Sequence, residues 1–151
     1  MSDYVNIKNR KASFEYHLVD KFVAGLQLLG TEIKSIRESK ASIAEGYCTF
    51  MGDELFVKNM HIAEYSHGGF VNHEPKRMRK LLLSRQELDK LLKKTKIKGF
   101  TIVPTRLFIG KNGYAKLEIA LAEGKKLYDK RESLKQADDK RSMDRTMKNY
   151  R

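Results

Sequence analysis

The stretch Phe100-Thr101-Ile102-Val103-Pro104-Thr105-Arg106-Leu107-Phe108-Ile109, followed by Gly110-Lys111-Asn112-Gly113 and then Tyr114-Ala115-Lys116-Leu117-Glu118-Ile119-Ala120-Leu121, decides the fold class. Two apolar-rich segments of strand length flank a four-residue connection with glycine at both ends, which reads as a β-hairpin. Pro104 has no N–H for a ladder, so its strand is either an edge or bulged. The reading extends in both directions from this hairpin.

Upstream, Phe14, Tyr16 and Leu18 alternate with Glu15, His17 and Val19 from Ser13 onward, and Phe22, Ala24, Leu26 and Leu28 repeat the period of two. Gly30 interrupts the run. Thr31 is placed to cap a short helix through Ser39, with Leu29, Ile33 and Ile36 on one side. Strand signals return over Ile43–Phe50 and Leu55–Ile62, joined by a turn at Met51-Gly52-Asp53-Glu54. Residues 65–75 read as a loop. Ser84 and Glu87 then form a capping box, Leu83 and Leu88 a hydrophobic staple, and Leu88, Leu91 and Leu92 a core-facing stripe. Lys93, Lys94 and Lys96 suit the negative end of the helix dipole, and Gly99 closes the helix. The tally is about six antiparallel strands and two helices without a βαβ rhythm. It predicts a mainly β fold: a small antiparallel barrel of the OB type with two or three short helices, a β-sandwich being the runner-up.

Charge sharpens the reading. The 151 residues hold 31 Lys and Arg against 19 Asp and Glu, a formal +12. Residues 76–98 carry ten cations and two acids, and residues 125–151 carry ten and five, so the remainder is near neutral. Clustering of this kind is the footprint of a polyanionic partner. Pro75-Lys76-Arg77-Met78-Arg79-Lys80 concentrates four cations without interleaved acids, and Tyr128 lies among Lys125, Lys126, Lys130 and Arg131, a stacking surface amid cations. Beyond residue 124 apolar side chains become sparse. The segment is competent for helix through Met143, Met147 and Tyr150 but too polar to bury much, so it is expected disordered when free and helical when bound. Residues 1–128 are therefore expected to form the barrel and 129–151 a basic tail.

Other chemistries find little support. The lone Cys48 permits no intrachain disulfide framework and is expected as a buried strand residue in a reducing compartment. His17, His61, His67 and His73 lack a compact metal-ligand spacing, and no HExxH, phosphate-binding loop or nucleophile elbow occurs. No cofactor and no metal are expected, nor a membrane-spanning run or a secretory start, which leaves a cytoplasmic location. A small basic ribonuclease using a histidine, and a generic OB-fold binder of single-stranded RNA, remain alternatives.

Four ordered blocks then carry a resemblance: Asn9-Arg10-Lys11-Ala12; Gly30-Thr31-Glu32-Ile33-Lys34-Ser35-Ile36-Arg37 with Lys40-Ala41; Arg79-Lys80-Leu81-Leu82-Leu83; and Gly124-Lys125-Lys126-Leu127-Tyr128-Asp129-Lys130-Arg131, closed by Met147-Lys148-Asn149-Tyr150-Arg151. The chain resembles the bacterial SsrA-binding protein family, small protein B. The resemblance implies an OB-fold barrel that grips the tRNA-like domain of transfer-messenger RNA, and a monomeric adaptor without enzymatic activity. It further implies elongation factor Tu as a partner through the RNA complex, and delivery to stalled ribosomes, where the tail meets the small-subunit decoding region for trans-translation and nascent-chain tagging. The RNA-binding set it implies is Asn9, Lys11, Lys34, Lys40, Arg79, Lys80 and Leu82, to which the basic clusters add Arg77, Lys125 and Lys126. The ribosome-contacting tail set is Tyr128, Asp129, Lys130, Arg131, Met147 and Lys148. Val23 departs from the family pattern, since some relatives carry an acid there. Tyr128 stands where many have histidine, and Thr146 replaces a bulkier apolar residue.

Overall fold

The computed structural model describes residues 5–97 and 99–124. In chain order the elements are β1 (Asn6–Lys8), α1 (Arg10–Glu15), β2 (Tyr16–Leu26), α2 (Gly30–Arg37), β3 (Ala41–Ser42), β4 (Tyr47–Met51), β5 (Glu54–Lys58), β6 (His61–Ile62), a 3-10 turn (Gly69–Val71), β7 (Arg79–Leu82), α3 (Arg85–Thr95), β8 (Phe100–Ile109) and β9 (Ala115–Gly124). All strand pairs are antiparallel. The main sheet runs β1-β8-β4-β5-β7-β2-β9, and an additional β8–β9 ladder joins β9 back to β8. Six strands therefore close a ring and β1 adds to β8 outside it. The barrel reading holds, since closure leaves no free sheet edge around the ring.

The hairpin that opened the reading is β8–β9. Gly110 N–H donates to the Tyr114 carbonyl at 2.9 Å, and Gly113 sits at φ +82°, a conformation that side chains with a Cβ avoid. Pro104 belongs to a bulged strand, as its missing donor required: the register slips between Pro104 and Arg106. On that edge of β8, Ile102 meets Cys48 of β4 and Arg106 meets Lys8 of β1, so Pro104 falls where one partner strand gives way to the other.

The core is one cluster inside the ring. Leu55, Val57, Leu81, Ile102, Leu107, Leu117 and Ile119 point inward, and Ile36 of α2 and Leu91 of α3 join them. Full burial of each such side chain is worth about 1.5–3 kcal/mol. A smaller cluster of Ala12, Val103 and Ala122, with Tyr16 and Leu18 against it, fixes α1 to β8 and β9.

Several local expectations need correction. Ser13–Glu15 are helical, because Asn9 caps α1 through a bond from Ala12 N–H to its side-chain oxygen; the strand begins at Tyr16. Thr31 does not cap α2. The cap position is Leu29, whose N–H donates to Glu32 Oε1 at 2.8 Å, and the helix ends at Arg37 as Ser39 turns to φ +59°. Ile43–Gly46 form a turn closed by Gly46 N–H to the Ile43 carbonyl, so β4 starts only at Tyr47. The segment 55–62 splits into β5 and β6, and β9 runs on to Gly124. The described residues hold three α-helices, within the two or three expected. The α3 capping box stands as read, with Glu87 N–H donating to Ser84 Oγ and Ser84 N–H to Glu87 Oε1.

Candidate nucleic-acid interface

The basic run 76–80 does not project as a uniform cationic strip. Arg77 and Arg79 alternate with Met78 and Lys80, and both arginines turn towards Glu32 near the start of α2. Arg77 donates from Nε to Oε2 at 3.1 Å and from Nη2 to Oε1 at 2.7 Å, a forked pair. Arg79 donates from Nε to Oε2 at 2.6 Å, and its remaining donors meet the carbonyls of Met60 (2.7 Å), Pro75 (3.1 Å) and Glu74 (3.5 Å). The Glu32 and Arg79 side chains are fully buried. Burial alone would raise the Glu32 carboxyl, but the Arg77 bonds, the Leu29 N–H and Arg79 outweigh it and hold the group below the usual carboxylate range. Two of the four cations thus serve an internal charge network that ties α2 to β7 and the 60–75 loop.

His73 reinforces that tie. Its ring is buried between Thr31 Oγ1, 2.8 Å from Nδ1, and the Ile62 carbonyl, 2.8 Å from Nε2. A carbonyl only accepts, so Nε2 donates its proton to Ile62, and in the neutral ring Nδ1 accepts from the threonine hydroxyl. This histidine is occupied structurally, as is Asn72, whose amide bonds both the N–H and the carbonyl of Tyr65. Among the described residues no cluster of three potential metal ligands occurs. Cys48 is buried in β4, as expected, and burial pushes its thiol well above the usual value.

Asn9 is likewise buried. Nδ2 donates to the carbonyls of Pro104 (2.8 Å) and Ile43 (3.3 Å) while Oδ1 caps α1, which leaves its amide spent on backbone. Lys11 is exposed and pairs with Glu45 at 2.9 Å over a cleft of about 250 Å³ lined also by Glu15, Tyr16 and Tyr47. Lys34 is exposed, its Nζ 5.5 Å from the Tyr65 ring centre, and Lys40 reaches Glu38 at 3.3 Å. Lys80 pairs with Glu54 at 2.7 Å. Leu82, 48% exposed, points outward on the same face of β7 as Lys80.

The register then brings together residues that sequence spacing could not. Gly25 of β2 lies opposite Leu82 on one side and Lys116 of β9 on the other, so Leu82 and Lys116 flank a residue without a side chain on the outer barrel face. Beside this row, α2 and the β8–β9 turn enclose a groove of about 610 Å³ lined by Leu29, Ile33, Arg37, Leu82 and Tyr114 among others. Sequence reasoning missed Arg37, Tyr114 and Lys116. The one available signal was an aromatic directly after a tight glycine turn.

The expected site residues Lys125, Lys126, Tyr128, Asp129, Lys130, Arg131, Met147 and Lys148, and the 128/129 boundary, lie outside the described residues. β9 ends at Gly124, which pairs with Tyr16 beside the Lys11 cleft. β9 runs from the Tyr114 groove to that point over ten residues, about 30 Å at 3.3 Å each. The barrel therefore has two poles.

A closed antiparallel barrel with short helices and exposed cations defines a small OB-like module. The family model described as SmpB protein matches residues 6–149, and the chain belongs to that family. It is 57% identical to the SsrA-binding protein of Christiangramia forsetii over 151 residues, covering 100% of this chain and 96% of the relative. It is 60% identical to that of Phocaeicola vulgatus over 144 residues, covering 95% and 96%. A solved structure reported as "tmRNA-SmpB: a journey to the center of the bacterial ribosome" superposes with a TM-score of 0.69 at 40% identity, over 82% of this chain and 86% of the other. No helix among the described residues is long and apolar enough to cross a membrane.

Proposed function

We propose that the chain is an RNA-binding adaptor whose barrel holds the tRNA-like domain of transfer-messenger RNA and whose residues 129–151 engage the small-subunit decoding region of a stalled ribosome. The observation that carries this is the family match over residues 6–149, which spans both the barrel and the basic C-terminal segment. Elongation factor Tu joins through the RNA, the chain acts as a cytoplasmic monomer, and it performs no bond chemistry of its own.

On this reading the barrel works by shape and charge. A folded RNA presents phosphates and a wide, shallow minor groove, which a convex basic surface reads without base-by-base pairing. Lys11, Lys34, Lys40 and Lys80 supply phosphate contacts with Lys125 and Lys126, each releasing counterions. Leu82 supplies an apolar contact. Asn9, Arg77 and Arg79 act one step back: they fix α1, α2 and β7, and so the spacing of the exposed groups. Tyr128 and Lys130 to Lys148 belong to the second partner.

The test is to recover the RNA that copurifies with the full chain from cells and sequence it. One long, intact RNA with a tRNA-like end is the expected result. A mixed RNA population would instead point to a generic single-strand binder. Discrete cleavage fragments lost on His→Ala substitution would point to a ribonuclease.

A further inference from the structure

Tyr114, the last residue of the β8–β9 connection, is a large apolar side chain left 71% exposed, and its backbone is not loose. Its carbonyl accepts from Gly110 N–H, and the next residue, Ala115, is buried in β9. A rigidly mounted aromatic left in water forgoes much of the burial such a ring can provide. Tyr114 lines two hollows. One is the 610 Å³ groove, with Leu29 and Leu82, each 48% exposed, and the partly buried Ile33 as walls and Arg37 at the rim. The other is a smaller hollow of about 310 Å³ lined by Gly110, Lys111, Asn112, Tyr114 and Lys116. Among the described residues no acid lines either one.

We infer that this groove takes one unstacked base of the RNA partner, stacked on the Tyr114 ring, with the adjoining phosphates held by Lys111 and Lys116 on one side and Arg37 on the other. The inference rests on the proposed RNA-binding function and adds to it a nucleotide site and the residues that form it. The chemistry matches feature by feature. A base has a planar apolar face that an aromatic and two leucines accommodate, and stacking of this kind is indifferent to sequence. A phosphate alone would find no donors on the leucine walls. Arg37, Lys111 and Lys116 suit the phosphates on either side of such a base. The volume falls within the roughly 300–1,000 Å³ that small-molecule sites occupy. Because a base inside a helix is already stacked, the site selects an unpaired nucleotide, which is how single-stranded loops are usually read.

The test uses the full chain and a transcript of the tRNA-like domain of transfer-messenger RNA, with an unrelated hairpin of equal length as reference. Tyr114→Ala is expected to weaken binding about tenfold, the scale of one lost base stack. It should leave the salt dependence unchanged, because no charge is removed. Tyr114→Phe is expected to bind within about twofold of the unaltered chain, since the ring and not the hydroxyl does the stacking. Thermal melts of both variants should match the parent, Tyr114 being largely exposed. Tyr114→Ala binding like the parent would overturn the inference and leave the groove to a protein contact. Tyr114→Phe failing alongside Tyr114→Ala would overturn it too, making the hydroxyl the contact. Should the unaltered chain fail to prefer the transcript over the hairpin, the proposed function itself is what fails.

Discussion

Arg79 donates to Glu32 across 2.6 Å, and neither side chain reaches solvent. They are 47 residues apart, one on the first strand after the long loop and one at the start of α2. The pair, with Arg77 beside it, converts the most basic stretch of the chain from a surface feature into a clasp. Such a network costs desolvation, and its value lies in fixing where α2 sits on the barrel.

Arg79→Ala should therefore behave as a folding variant. Removing one partner leaves the Glu32 carboxylate buried with less compensation, at a cost of about 3–5 kcal/mol by denaturant unfolding. Measured at a temperature where the variant is folded, the salt slope of RNA binding should stay unchanged. Lys34→Ala is the counterpart: near-parental stability, with the slope shallower by roughly 0.7–0.9. A reversed pattern would put Arg79 rather than Lys34 against phosphate.

Acid should loosen the same clasp. The Glu32 carboxyl is held below its ordinary value of 4.5, so the folded state binds its proton less readily than the unfolded chain does. Its contribution is complete above about that value and is lost as pH falls through the lower folded-state value. Melting temperatures taken from pH 7 down to pH 3 should be flat at first and then drop. In Glu32→Gln the drop should be shallower, from a lower starting stability.

Asn9 offers a cleaner separation of cap from tether. Asn9→Asp keeps an oxygen for the Ala12 N–H but cannot donate to the Pro104 and Ile43 carbonyls, whereas Asn9→Ala loses both functions. Unfolding free energies should rank parent above both variants, with a loss of about 1–3 kcal/mol for Asn9→Ala. RNA affinity, corrected for folded fraction, should fall less than stability does.

Two serines should respond in opposite directions. Ser84 caps α3, so Ser84→Ala should cost about 1 kcal/mol. Ser35 lies buried in α2, and its hydroxyl has no hydrogen-bond partner among the described residues, so Ser35→Ala removes an unsatisfied group and installs a better helix former. Thermal melts should show Ser84→Ala below the parent and Ser35→Ala at or above it.

These cases also show what could be read from the sequence. The Gly110–Gly113 turn, the Ser84–Glu87 box and the Pro104 bulge were legible because each depends on residues a few positions apart. Barrel closure followed from strand number and turn spacing. Helix α1 was not legible because Ser13–Glu15 continue the alternation of the strand that follows, although Asn9 was an available cap signal. The clasp was invisible for another reason. Nothing local distinguishes an arginine aimed at RNA from one aimed at a glutamate 47 residues away, and the same holds for His73 and Thr31. The groove at Tyr114 needed the β2–β7 and β2–β9 registers, which sequence spacing does not supply.

The claim at the centre of this account is a division of labour between a barrel that holds RNA and a basic segment, 130–151, that serves the ribosome. β9 ends at Gly124, about 30 Å along the strand from the Tyr114 groove. The most direct measurement is made on a chain stopped after Asp129, assayed both for binding to the tRNA-like domain and for tagging of a nascent chain on a stalled ribosome in a reconstituted translation system. The account predicts that RNA binding survives with a modest electrostatic loss while tagging is abolished. Tagging at the full-length rate, or collapse of RNA binding, would contradict it.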